Sequence, residues 1–221
     1  MNSHNQPLNK AALIEQYQEA FAKHGDSPAA VLWPRGRQSI RFEALTAHIK
    51  NDGFSILDYG CGLGHLKDYL DQRFNAYKYF GVDLVPEFVS SLSTKHPDAI
   101  VQEIASHEEF TNTVDHVIVS GTFSIIQGND PAAYLKYVQG VLTYLFELCN
   151  VSLAVNFMTD RVDFKQAQAH HVNPQDMCRF FCDQLSPRLV LNQSYMPYEF
   201  TLVAFKDHTI VRPDNIYGVL P

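Results

Sequence analysis

The chain has 221 residues, of which 46% are hydrophobic and 19% charged. That is enough apolar material for one domain with its own core, and it excludes a disordered chain. A formal net charge of -7 argues against a general attraction to nucleic acid or to an anionic membrane. Neither an apolar run of about 18 residues nor a hydrophobic segment behind a charged start is found, so a cytoplasmic protein is expected, with no membrane span and no secretory signal. Cysteines stand at 61, 149, 178 and 182, too few and too scattered for a disulfide framework or a paired CxxC site. Cys178 and Cys182 lie one helical turn apart, a spacing that suits a buried face, and no metal is expected.

In chain order, residues 8–23 set Leu13, Ile14, Tyr17 and Phe21 at helical spacing, and a second helix is predicted from about Gln38 to Lys50. Together they make residues 1–50 an N-terminal helical extension, placed to act as a lid. From Phe54 the pattern changes to short apolar strands alternating with helices, the signature of parallel βαβ units. Strands are predicted at FSILD (54–58), YKYFGVD (77–83), AIVQEI (99–104), VDHVIVS (114–120) and VSLAVNF (151–157). Helices are predicted at 65–74, from Pro86 through about Ser93, and from Pro131 behind an Asp130 cap, the last with apolar positions through Leu148 and Cys149. An irregular stretch runs to His171, followed by a helix over 173–185. The two runs 188–196 and 199–207 are joined through Pro197 by a connection so short that they must be antiparallel. The predicted fold class is therefore α/β: a seven-stranded, mostly parallel sheet ending in an antiparallel hairpin over residues 51–207, with a C-terminal tail at 208–221.

Chemistry concentrates in ILDYGCGLGH (56–65). A glycine turn between a strand and a helix lets the backbone approach a ligand closely and offers amides at the start of the helix. The dinucleotide fingerprint GxGxxG fails at His65, where its last glycine is required. The phosphate loop GxxxxGK[ST] fails as well, since Gly60 plus five is again His65 and no lysine and hydroxyl pair follows. What stands is Asp58-x-Gly60-x-Gly62-x-Gly64, and Asp83 ends the second strand 23 residues after Gly60, the reach of one βαβ unit.

These residues resemble motif I of the class I S-adenosylmethionine-dependent methyltransferases. The likeness extends over HGDSPAAVLWPRGRQSIRFEAL, GVDLVPEFV, VDHVIVSGTFS, NPQDMCRFFCDQLSPRLVL and SYMPYEFTLVAFK, most of residues 20–206, and is similar to a group of small, uncharacterised bacterial and archaeal members. It implies the Rossmann-like methyltransferase fold and S-adenosylmethionine as cofactor. Asp58, Gly60, Cys61, Gly62 and Gly64 would form the cofactor turn, Asp83 would take both ribose hydroxyls with Leu84 beside it, and Ser120 and Gly121 would pass near the transferred methyl. Where the family often has an acid for the adenine amino group, this chain has Ala105 beside Ser106, which leaves backbone amides or Glu103 for adenine.

Ligands in open parallel sheets lie beyond the carboxyl ends of the strands, which points to Ser120–Phe123 and to Asn156 and Phe157. Trp33, Arg35, Arg37, Gln38 and Arg41 place three arginines within seven residues of an acidic chain. Arginine's fork recognises carboxylates, so Arg41, with Trp33 nearby, is a candidate for the cofactor's carboxylate or an anionic acceptor, the alternative being a solvated helix start. If the acceptor must shed a proton, His170 and His171 are candidate bases, and Tyr195, like Tyr198, flanks the hairpin turn. NPQD (173–176) is not the asparagine-proline-proline-aromatic motif of nucleic-acid amino methyltransferases. The expected function is methyl transfer to O or N of a small-molecule acceptor by a monomer or homodimer, with no nucleic acid and no membrane as partner. A non-catalytic S-adenosylmethionine-binding partner subunit and a nicotinamide-dependent oxidoreductase remain open alternatives.

Overall fold

Asn9 opens the chain's first helix by accepting the Ala12 amide, and α1 (Lys10–His24) ends at Gly25, whose φ is 60°. The computed structural model describes residues 9–33, 37–126, 130–166 and 168–206; Arg35 and the tail 208–221 lie outside the described residues. After α2 (Gln38–Thr46) the strands and helices alternate as β1 (Phe54–Tyr59), α3 (His65–Asp71), β2 (Tyr77–Asp83), α4 (Pro86–Lys95), β3 (Ile100–Glu103) and β4 (Val114–Val119). Next come α5 (Pro131–Leu148), β5 (Cys149–Thr159), β6 (His171–Val172), α6 (Pro174–Phe180), β7 (Leu189–Asn192) and β8 (Glu199–Phe205). Pro131 and Pro174 stand at helix starts, where a missing amide costs nothing, each behind a side-chain cap, Asp130 and Asn173.

The sheet runs β3-β2-β1-β4-β5-β8-β7, with β6 attached to β5. The first five strands in that order are parallel, and β8 and β7 enter antiparallel, closing the edge as a hairpin. Seven strands on a continuous path and a terminal hairpin are the architecture expected, with β6 as an addition. Two residues are too short to carry a strand period, so β6 left no signal in the sequence.

Two boundaries differ from expectation for one reason. Cys149 was assigned to the helix, yet its backbone is extended (ψ 142°) and it pairs with Val114 of β4. Pairing along both edges of β5 draws its ends outward, from the predicted 151–157 to Cys149–Thr159. Tertiary ladder bonds here override the local helical period. The predicted helix 173–185 divides into α6 and a π-helical turn over Phe181–Leu185.

Alternation along the central strands sorts the core into two layers. Leu57, Val117, Val119, Leu153 and Val155 face α5 with Tyr134, Val138 and Leu142, while Ile56, Ile118 and Ala154 face α2, α3 and α4 through Phe42, Leu45, Leu66 and Leu92. A third small cluster, Ala30, Leu63, Val85 and Phe88, takes Tyr17 and Phe21 of α1 on its outer side. Burying those rings seats α1 over the glycine turn; Gln18 also donates to both oxygens of Glu87 at 2.9 and 3.0 Å. Among the described residues, no helix is long and apolar enough to cross a membrane.

Candidate functional site

A cavity of about 630 Å³ opens at the carboxyl ends of β2, β1, β4 and β5, within the range of small-molecule sites. Its floor is the turn after β1. Gly60 has φ 79°, and a Cβ there would stand 2.4 Å from Thr122 Oγ1, which donates to the Tyr59 carbonyl at 2.7 Å. Left-handed backbone and contact with the β4 turn together require glycine. Gly64 is under a similar constraint against Leu92, with a Cβ 2.9 Å from its Cγ. Four amides of this turn are engaged. Gly60 and Cys61 donate to the Val82 carbonyl at 2.8 and 3.0 Å, Gly64 donates to Cys61, and Gly62 donates to Asp83 Oδ2 at 2.8 Å. The turn is thereby tied to the end of β2.

Asp83 borders the cavity with its carboxylate fixed by two backbone bonds, Gly62 N to Oδ2 and Val85 N to Oδ1 at 2.9 Å. Each carboxylate oxygen has a second lone-pair direction left for a ligand hydroxyl. Burial pushes its pKa upward, against the pull of those amides. Asp58, 2% exposed and also on the cavity wall, accepts the Tyr79 hydroxyl at 2.7 Å. Burial raises it to about 7, the Tyr79 bond opposing. The cavity thus carries one acid at each end of the glycine turn. Leu84, Cys61 and Gly62 line it too, and Gly64 stands behind as the residue preceding α3. On the β3 side the lining residue is Ile104. Glu103 is exposed, Ser106 caps a short 3-10 turn, and the Ala105 carbonyl accepts Lys10.

The opposite wall is built from Ser120, Gly121, Thr122, Phe123, Ser124 and Ile125 after β4. Trp33, Gln38 and Arg41 join it from the N-terminal segment, as does Met158 from β5. Arg41, 4% exposed, already has a carboxylate partner: Nε and Nη2 donate to Glu199 Oε2 and Oε1 at 2.9 and 2.6 Å. The Trp33 ring lies 3.9 Å from its guanidinium carbon. Asn156 donates to Glu199 Oε2 at 3.0 Å and accepts the Gly121 amide at 2.7 Å. Glu199 escaped sequence reasoning; its only signal was a lone acid opening the apolar strand EFTLVAF. Tyr17, Tyr59, Tyr134 and Tyr137 also border the cavity, and none of the four was a candidate for the site.

His170, His171 and Tyr195 are not brought to this cavity. His170 is 3% exposed, its Nδ1 bonded to the Phe123 carbonyl at 3.1 Å and its ring set edge-on to Tyr134 with centroids 4.8 Å apart. His171 bonds the Thr159 carbonyl through Nδ1 at 2.8 Å, within the β5–β6 pairing. Tyr195 accepts the Thr201 hydroxyl at 3.0 Å, and Tyr198 is 51% exposed. These bonds consolidate the loops around the site, and the paired histidines serve packing where a proton-transfer role was expected. Arg37 is exposed at the start of α2, the solvated position that was the alternative for this group.

Residues 56–144 match the family described as Methyltransferase domain. A Mycobacterium tuberculosis protein described as methyltransferase Rv1506c is 26% identical over 160 residues, covering 70% of this chain and 95% of its own length. Among solved structures, magnesium protoporphyrin IX methyltransferase from Synechocystis PCC 6803, crystallised with S-adenosylmethionine, superimposes with a TM-score of 0.65 at 15% identity, over 94% of this chain and 100% of that one. The plantazolicin methyltransferase BamL does so with a TM-score of 0.60 at 12% identity, over 90% and 99%. With the glycine turn, the Asp83 carboxylate and the hairpin-closed sheet in place, residues 56–144 match a methyltransferase domain and the whole chain has the fold of the S-adenosylmethionine-dependent methyltransferases.

Proposed function

We propose that the protein transfers a methyl group from S-adenosylmethionine to an oxygen or nitrogen of a small-molecule acceptor in the cytoplasm. The observation that carries this reading is one continuous cavity with Asp83 and the glycine turn at one end and the Ser120–Ile125 turn at the other. The residues fit the cofactor. Asp83 has lone pairs for two hydroxyls, the bare turn admits the chain of the amino-acid part, and Asp58 presents a second acid to a ligand that carries positive charge. Arg41 retains Nη1, the one guanidinium nitrogen not engaged by Glu199, for the carboxylate. Bound there, the cofactor supplies an electrophilic methyl group on a sulfonium centre. The acceptor's place is the β4 and β5 side, where Trp33, Phe123, Ser124, Tyr134 and Met158 offer aromatic faces and a hydroxyl. Orientation of the acceptor lone pair is then the main contribution of the protein to rate. Small-molecule and peptide-like acceptors in the names of the protoporphyrin and plantazolicin enzymes support a compact acceptor for this chain.

Calorimetry should detect S-adenosylmethionine binding and no NADH binding, and Asp83→Ala should weaken the former about 30-fold, the worth of two charge-assisted hydrogen bonds. Unchanged affinity in that variant would remove Asp83, and with it the reading. Turnover is tested by S-adenosylhomocysteine release in a metabolite mixture; its persistent absence would favour a binding subunit.

Asp58 makes a second prediction. A cationic ligand prefers the ionised carboxylate, and the free group titrates at about 7, so binding must release a proton below that value. Affinity for S-adenosylmethionine is expected to rise several-fold between about pH 6 and pH 8 and to level off above, and Asp58→Asn should flatten the profile. A wild-type profile already flat across that range would show that the charge of Asp58 is not felt by the ligand.

A further inference from the structure

We propose that Glu199 is a positioning residue for the amino-acid end of the cofactor, acting through Arg41 and through Asn156. This rests on the reading of the cavity as an S-adenosylmethionine site. A guanidinium has three nitrogens, and Glu199 takes two of them in the bidentate fork of Nε and Nη2. The third, Nη1, is held against the β4 turn: a Cβ on Gly121 would stand 2.7 Å from it. Trp33 covers the face of the same group at 3.9 Å. Three directions are therefore fixed, and the N–H pair of Nη1 is set where Arg41 and Gly121 both line the cavity. Paired N–H donors of this kind recognise a carboxylate.

The same carboxylate of Glu199 governs the turn itself. Its Oε2 accepts Asn156 Nδ2, which sets the amide so that Oδ1 meets the Gly121 N–H. Reversing the amide would oppose two donors at Gly121 and two acceptors at Glu199, so only one orientation is satisfied. The strand register supports the arrangement. Glu199 opens β8 opposite Met158, itself on the cavity wall, and Asn156 lies two residues along β5, on the same face. One acid on the antiparallel hairpin thus sets both a cation and the backbone turn that follows β4, the strand beyond β5. Stability alone is a poor reason for such a pair, since buried ion pairs are commonly replaceable by apolar side chains.

The test uses two ligands that differ in the amino-acid part. S-adenosylhomocysteine carries the carboxylate; 5′-deoxy-5′-methylthioadenosine keeps the nucleoside and sulfur and lacks it. By calorimetry on the full chain, Glu199→Gln is expected to weaken S-adenosylhomocysteine about tenfold or more and methylthioadenosine by less than about twofold. Glu199→Asp, which keeps the charge and draws Arg41 back by one methylene, should shift the two ligands in the same unequal way. Equal losses on both ligands would mark a merely structural role and overturn the proposal, as would no loss on either. Should Glu199→Gln fail to fold, the charge-free pair Arg41→Met with Glu199→Leu carries the test: selective loss of S-adenosylhomocysteine supports it, and retained affinity overturns it. Wild-type protein that binds neither ligand would instead sink the cofactor reading on which the proposal stands.

Discussion

Arg41→Ala is expected to destabilise the fold by about 3 kcal/mol and to lower Tm by roughly 10 °C. Both partners of the Arg41–Glu199 pair are buried, with side chains 5% and 4% exposed. Truncating the arginine leaves a carboxylate in the interior with only the Asn156 amide to solvate it, and the cost of an orphaned buried charge exceeds the worth of the pair it came from. Trp33 loses the cation stacked on its ring as well. The expectation is checked by urea and thermal unfolding of the variant. Its internal control is Arg41→Met combined with Glu199→Leu, which removes both charges and should recover most of the loss. An Arg41→Ala protein as stable as the wild type would mean that Glu199 finds another partner or water. The control also shows why ligand affinity of Arg41→Ala alone is a poor test of the site, because a destabilised wall and a missing ligand contact would be read as one effect.

Glu199 marks the limit of what the chain discloses before it folds. Asp58, Gly60 and Asp83 lie within one βαβ unit, so their spacing alone brings them together across the parallel pair Asp58↔Gly81 and Tyr59↔Val82. The hairpin was legible for the same reason, as β7 and β8 are separated by a short turn. Arg41 and Glu199 are 158 positions apart, and nothing local in either segment specifies the other. The arginine could be picked out by its chemistry, but its partner could not. The histidines failed in the opposite direction. A pair of adjacent histidines before a capped helix resembles catalytic equipment, and only the folded chain reveals that Nδ1 of each ring is bonded to a backbone carbonyl. The acceptors of the Gly60, Cys61 and Gly62 amides, at Val82 and Asp83, likewise come from the neighbouring strand end and leave no mark in the local sequence.

Acid should unfold the protein through a cluster at the other end of the sheet, where the cavity plays no part. His48 Nε2 and His116 Nδ1 both bond Ser152 Oγ, at 2.6 and 2.8 Å, and the two rings meet edge-on at 5.5 Å. A hydroxyl can donate to one imidazole and accept from the other, so the ring that accepts must be neutral, and burial disfavours charge on either ring. Burial lowers His48 to about 3, with His116 the next cause, and lowers His116 to about 4. Both folded-state values lie below the ordinary 6.5, so the unfolded chain takes up protons first. The stability this cluster contributes is complete above pH 6.5 and is lost as pH falls toward the folded values. At pH 5 the loss is about 2 kcal/mol for each histidine, or about 4 kcal/mol for the pair before any discount for their interaction. Asp58 works against this trend, since its folded value of about 7 makes protonation stabilising below neutrality. The measurement that isolates the histidines is therefore a difference: urea unfolding of wild type and of His48→Gln with His116→Asn, at pH 7.5 and at pH 5. The variant should be the less stable at pH 7.5, where it lacks the packed rings against Phe54 and Phe205. Its deficit should shrink by about 4 kcal/mol at pH 5, and a deficit equal at both pH values would show that the two rings are already protonated in the folded protein or never protonated in either state.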